Sequence, residues 1–101
     1  MSDATVNRDM LGLSNAYREP VSRLERTVTE IWRRHFSMDR VGIHDRYEDL
    51  GGDSLLAVKI IIDIQKELSV ELPWNVLEDA DTTGKLSAII ATMKDVPAHH
   101  P

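Results

Sequence analysis

Apolar positions recur at helical spacing along three long segments of the chain. Leu24, Val28, Ile31, Trp32 and His35 share one face of a helix expected over Val21–Phe36. Arg23, Arg26, Arg33 and Arg34 cover the other face, as in a solvated helix surface. A second helix is expected over Ser54–Leu68, where Ala57, Ile60, Ile61, Ile64 and Leu68 form a core-facing stripe with Leu56 at its edge. Leu86, Ile89, Ile90 and Met93 mark a last helix ending near Met93, capped by Asp81 or Thr82. Between these lies a short helix or turn at residues 74–80, with Trp74, Val76 and Leu77 available for burial. Pro20 and Ser22 read as the start and cap of the first helix, and Asp53 as the cap of the second. The β-branched run from Val58 to Ile64 is a local conflict that length and capping resolve in favour of helix.

The fold class that follows is all-α: a small bundle of three main helices and one short helix. A long loop, about residues 37–53, joins the first helix to the second, pinned by Val41, Ile43, Tyr47 and Leu50. Residues 1–20 lack a sustained period and read as a flexible N-terminal arm or linker. Residues 21–94 form the domain, and 95–101, with two prolines, a flexible tail.

The second helix carries more apolar surface than one stripe needs. Leu55, Val58 and Ile62 form another, turned to one side. Either the helix is covered nearly all round, or this stripe stays partly exposed and meets partners. Its start beside Ser54 favours partner docking.

Composition narrows the function. The chain has 101 residues, no cysteine and a net charge of −5. A disulfide framework and a thiolate metal site are excluded, and a reducing cytoplasm fits. The acidic excess lies after Tyr47 and argues against nucleic acid and anionic membranes as partners. No segment has the length of a transmembrane helix, and residues 1–20 do not read as a secretory signal.

The run Asp49-Leu50-Gly51-Gly52-Asp53-Ser54-Leu55-Leu56-Ala57 delivers one hydroxyl to the first turn of an apolar helix. Ser54 as a mere cap does not require both glycines. As a catalytic nucleophile it lacks an assignable base among His35, His44, His99 and His100, and Leu56 stands where a nucleophile elbow needs glycine. A phosphate-binding loop would need a lysine where Asp53 stands. Asp45, Glu48, Asp49 and Asp53 lack the spacing of a calcium loop, and no metal site is expected. What remains is a serine that another enzyme modifies.

The stretch Val41-Gly42-Ile43-His44-Asp45-Arg46-Tyr47-Glu48-Asp49-Leu50-Gly51-Gly52-Asp53-Ser54-Leu55-Leu56-Ala57 resembles the phosphopantetheine-dependent carrier proteins, the peptidyl and acyl carrier domains of nonribosomal peptide and polyketide synthases. Tyr17-Arg18-Glu19-Pro20, Leu24-Glu25, Glu30-Ile31-Trp32 and Val70-Glu71-Leu72-Pro73 extend the resemblance over residues 17–93. It implies a non-catalytic four-helix carrier with a 4′-phosphopantetheine arm on Ser54, attached from coenzyme A by a separate phosphopantetheinyl transferase. The arm's thiol would hold acyl, aminoacyl, peptidyl or polyketide intermediates as thioesters. Asp53, Leu55, Val58 and Ile62 would meet the transferase and the adenylation, condensation, ketosynthase, acyltransferase or thioesterase-type domains of a synthase. A monomer is the default expectation. Asp53 replaces the histidine many peptidyl carriers place before the serine, whereas the double glycine leans toward the peptidyl type, so the cargo stays open. The alternative class is a small helical interaction or DNA-binding module, but the second helix offers only Lys59 and Lys66 as cations.

Overall fold

The computed structural model describes residues 5–98. Its four α-helices are α1 (Arg23–Phe36), α2 (Ser54–Leu68), α3 (Val76–Asp79) and α4 (Thr83–Ala98). α1 packs against both α2 and α4. Among the described residues, the extended structure is one isolated parallel bridge between Val6 and Met38.

The helix starts follow their caps. Ser22 and Glu25 form a reciprocal capping box, the Glu25 amide donating to Ser22 Oγ at 3.0 Å and the Ser22 amide to Glu25 Oε1 at 3.2 Å. The amides of Val21 and Ser22 hold the Glu25 carboxyl below its usual range. Thr82 Oγ1 accepts from the Lys85 amide at the start of α4. α1 and α2 end at Ser37 and Ser69, both in the left-handed region. The expected end of α4 near Met93 rested on the last apolar position at helical spacing, and the helix runs past it. Pro97 removes one intrahelical donor, yet the backbone continues to Ala98.

The core is aliphatic around one aromatic cluster. Val28, Ile31 and Trp32 of α1 meet Ile60, Ile61 and Ile64 of α2 and Leu86 and Ile90 of α4. Val41, Tyr47 and Leu50 anchor the long loop to this core, as the sequence pattern requires. Trp74 does not join it. The indole is 63% exposed, while its neighbours Val76 and Leu77 are buried. Only four residues form α3, Val76–Asp79, too short an element to bury Trp74 as well as Val76 and Leu77.

Residues 5–20 are docked on the domain, which their lack of period did not foretell. Asn7 caps a 3₁₀ turn at Arg8–Leu11. The Val6 amide donates to Ser37 O, and the Asp39 amide returns a bond to Val6 O at 2.9 Å. The buried Arg8 guanidinium forks onto buried Asp45, Nε to Oδ2 and Nη2 to Oδ1, both at 2.7 Å. Asp45 also accepts from Gly42 N and Asn15 Nδ2. A docked segment with no apolar rhythm is held by polar anchors, and periodicity does not report those. Residues 1–4 of the expected arm and 99–101 of the expected tail lie outside the described residues.

Candidate functional site

The end of the long loop is built around Tyr47. Its ring sits edge-on to Trp32, centroids 5.4 Å apart, and 5.5 Å from Phe36. Its hydroxyl donates to the Asp53 carbonyl at 2.7 Å, and its own carbonyl accepts from the Gly52 amide at 3.1 Å. Burial first, and then the nearby Asp53 charge, push the phenol up to about 12.

The two glycines serve different needs. Gly51 has φ of 92°, where a side chain is strained. A Cβ on Gly52 would lie 2.3 Å from the Tyr47 ring. The pair therefore lets the loop turn and then cross the face of the tyrosine directly before α2.

Asp53 is the N-cap of α2, its Oδ1 accepting from the Leu56 amide at 2.9 Å. This releases Ser54 from capping. Ser54 is the first residue of α2 and is exposed. Among the described residues no histidine lines the space beside it. His35 instead pairs with Asp63 across α1 and α2 at 2.7 Å, and His44 is exposed elsewhere on the loop. His99 and His100 lie outside the described residues. Asp45 is committed to Arg8, and among the described residues no acid–histidine cluster could hold a metal ion.

Ser54 opens onto a groove of about 560 Å³ between the loop, α2 and the α3 region. Ala57, Val58, Leu77 and Trp74 give it apolar wall, with Tyr47 and Gly52 at the loop end. Its rim is acidic: Glu48, Asp53, Glu78 and Asp81 face one cation, Arg46. Arg46 is bound to Glu48 at 2.8 Å and Asp81 at 3.2 Å. Partial burial opposes ionisation of Asp81, but bonds from Lys85 and Arg46 outweigh it and hold the carboxyl below its usual range.

The second apolar stripe of α2 is on the surface. Leu55, Val58 and Ile62 are 65%, 37% and 42% exposed, while Ile60, Ile61 and Ile64 are fully buried. Of the residues expected to act with Ser54, Asp53 and Val58 share its groove, and Leu55 and Ile62 lie outside it. Sequence reasoning missed Arg46, Trp74 and Asn75 at this site. A tryptophan next to a proline in a polar-flanked turn was the available signal, read there as core.

An exposed serine at a helix N-terminus beside an open groove, with no histidine lining that groove among the described residues, suits a small helical carrier domain. The family described as "Phosphopantetheine attachment site" matches residues 26–90, and the chain belongs to it. It is a carrier protein domain whose prosthetic group is 4′-phosphopantetheine. The chain is 39% identical over 79 residues to the isonitrile lipopeptide synthase of Mycobacterium tuberculosis, covering 78% of this chain and 3% of that protein. It is 37% identical over 76 residues to tyrocidine synthase 3 of Brevibacillus parabrevis, covering 75% and 1%. This chain thus spans only a few hundredths of the relatives it matches. Among solved structures, an active-site mutant of a peptidyl carrier protein matches with a TM-score of 0.75 and 31% identity, over 87% of this chain and 93% of that one. A chain from the complex of the phosphopantetheine transferase Sfp with coenzyme A and a peptidyl carrier protein matches at 0.72 and 33%, over 75% and 99%. These likenesses bear out the four-helix carrier fold and give the DNA-binding alternative no support.

The site fits the group. A phosphodiester on Ser54 would stand at the N-terminus of α2, where free backbone amides favour an anion. The chain has no cysteine, so a carrier thiol must come from the arm.

Proposed function

We propose that Ser54 is the attachment point of the phosphopantetheine arm, and that the domain carries intermediates between active sites of a peptide-forming synthase. The single observation that carries this is the exposure of Ser54 beside Asp53, which alone caps α2. A separate transferase would form the phosphodiester from coenzyme A on the Ser54 hydroxyl. The arm supplies a thiol for thioester chemistry; the domain supplies a rigid base and no bond-making groups. Tethering raises the local concentration of cargo at successive active sites. The peptide context rests on likeness to tyrocidine synthase 3 and the peptidyl carrier structures. Leu55, Val58 and Ile62, with Asp53, are the proposed docking patch for the transferase and for adenylation and condensation domains. The compartment proposed is the cytoplasm, where coenzyme A is available; among the described residues no helix is long and apolar enough to cross a membrane.

Intact-protein mass after incubation with coenzyme A, magnesium and a broad-specificity phosphopantetheinyl transferase tests the assignment. The expected outcome is a gain of one phosphopantetheine by the native chain and none by Ser54→Ala, with helical circular dichroism checking that the variant is folded. A gain by the variant would move the site elsewhere.

A further inference from the structure

Trp74 is the anomaly of this surface. A large indole stands 63% exposed on the wall of the groove that Ser54 opens onto. Beside it Asn75 occupies the N-cap position of α3, yet its side chain makes no capping bond. Ala57 and Val58 of α2 line the same groove. The groove thus offers an apolar shelf and an uncommitted amide next to the serine, inside an acidic rim.

These lining groups suit the chemistry of the arm. The pantoyl gem-dimethyl group comes directly after the phosphodiester, so it stays near Ser54 whatever the arm does further on. A hydroxyl and two neutral amides follow, each able to donate and accept. The acidic rim of Glu48, Glu78 and Asp81 disfavours an anion along the groove but not these neutral groups. Apolar wall with a few placed polar groups is the usual make-up of a small-molecule site.

We propose that Trp74 and Asn75 form a resting shelf for the phosphopantetheine arm, which folds from Ser54 along this groove when no partner holds it. Trp74 covers the gem-dimethyl group together with Val58, and the Asn75 side chain bonds an arm amide. Both are positioning residues, for they hold the arm and touch no reacting bond. The proposal rests on Ser54 being the attachment point.

Tryptophan accessibility in the loaded, full-length chain tests it. The two tryptophans differ cleanly, since Trp32 is fully buried and dark to an aqueous quencher. Intact mass first establishes complete loading, so a failure of attachment at Ser54 is recognised separately. Acrylamide is uncharged and does not respond to the added phosphate. Expected is a fall of about twofold in the quenching constant on loading, as the arm covers part of an indole that is 63% exposed without it. The indole N–H resonance of Trp74 shifts with it, and removal of the arm by phosphodiester hydrolysis restores both. In Trp74→Phe, which loads normally, no change in quenching accompanies loading. Asn75→Ala retains less than the full protection. Equal quenching before and after complete loading overturns the proposal. So does protection that appears only when an adenylation domain is added, which would assign Trp74 to that partner instead.

Discussion

The Tyr47 hydroxyl donates to the Asp53 carbonyl at 2.7 Å, tying the aromatic core to the residue that immediately precedes Ser54. Asp53 in turn caps α2 through its side chain. One tyrosine and one aspartate thus fix the backbone on the N-terminal side of Ser54, while the Ser54 side chain takes no part in the cap. The loop is tied down by hydrogen bonds up to Asp53, and the Ser54 side chain beyond it is exposed.

Gly52→Ala puts a methyl 2.3 Å from the Tyr47 ring, and the ring is wedged against Trp32 and Phe36. Either the ring or the loop must shift. The expected loss is about 1–3 kcal/mol, the range of core overpacking, read from urea denaturation. Loading of Ser54 slows as well, because the displaced backbone carries Asp53. An unchanged urea midpoint would show that the ring yields freely and that the contact has no structural weight.

Alkaline pH should unlock the same hinge. The folded phenol of Tyr47 is pushed up to about 12 from an ordinary value of 10.0. Its contribution to stability is therefore fully present below pH 10 and disappears as pH rises through the folded value. In a Tyr17→Phe background, tyrosinate absorbance reports Tyr47 alone. It should appear together with loss of helical circular dichroism between about pH 10 and 12. Ionisation near pH 10 with helicity intact would mean that the ring is exposed in solution.

The parts of this fold that the sequence makes legible are those written in apolar rhythm or capping chemistry. Val28, Ile31 and Trp32, the Ile60–Ile61–Ile64 face, and the caps Ser22 and Asp53 all stand where pattern puts them. Ser54 stood out because its neighbours disfavour other chemistry, and its place at the start of α2 was legible from the Asp53 cap. The second stripe of α2 was legible as a surplus, and only the packing showed which side is left uncovered. Trp74 and Arg8 were not legible. A tryptophan reads as core unless the length of its element is known. An arginine reads as surface unless a buried carboxylate, here 37 residues away, is known to face it.

That arginine carries a prediction of its own. Arg8 and Asp45 are both buried and meet through two bonds of 2.7 Å. Removing one partner of such a pair strands the other, at a cost of about 3–5 kcal/mol. Arg8→Met and Asp45→Asn should each lower the urea midpoint sharply. The double variant should be less unstable than the sum, by a coupling of about 0.5–3 kcal/mol. Removing residues 1–15 should act like Arg8→Met. A truncated chain as stable as the whole would show that the docked segment adds nothing to the fold.

The exposed stripe of α2 separates docking from folding. Val58 and Ile62 already meet water across more than a third of their surface, so Ile62→Arg should move stability by no more than about 0.5 kcal/mol. If the stripe is the docking patch, the same change should slow aminoacylation of the loaded arm by a partner adenylation domain at least about tenfold, some 1.4 kcal/mol. Asp53→Asn gives the electrostatic half of the argument. Asparagine keeps the cap, being as good an N-cap as aspartate, but removes one charge from the rim. Its effect should therefore fall on the association rate, be largest at low salt and fade as salt screens the surface. Normal aminoacylation of the Ile62→Arg protein would place the partner contact elsewhere on the domain. A salt-independent loss in Asp53→Asn would show that the residue acts through the cap geometry and not through its charge.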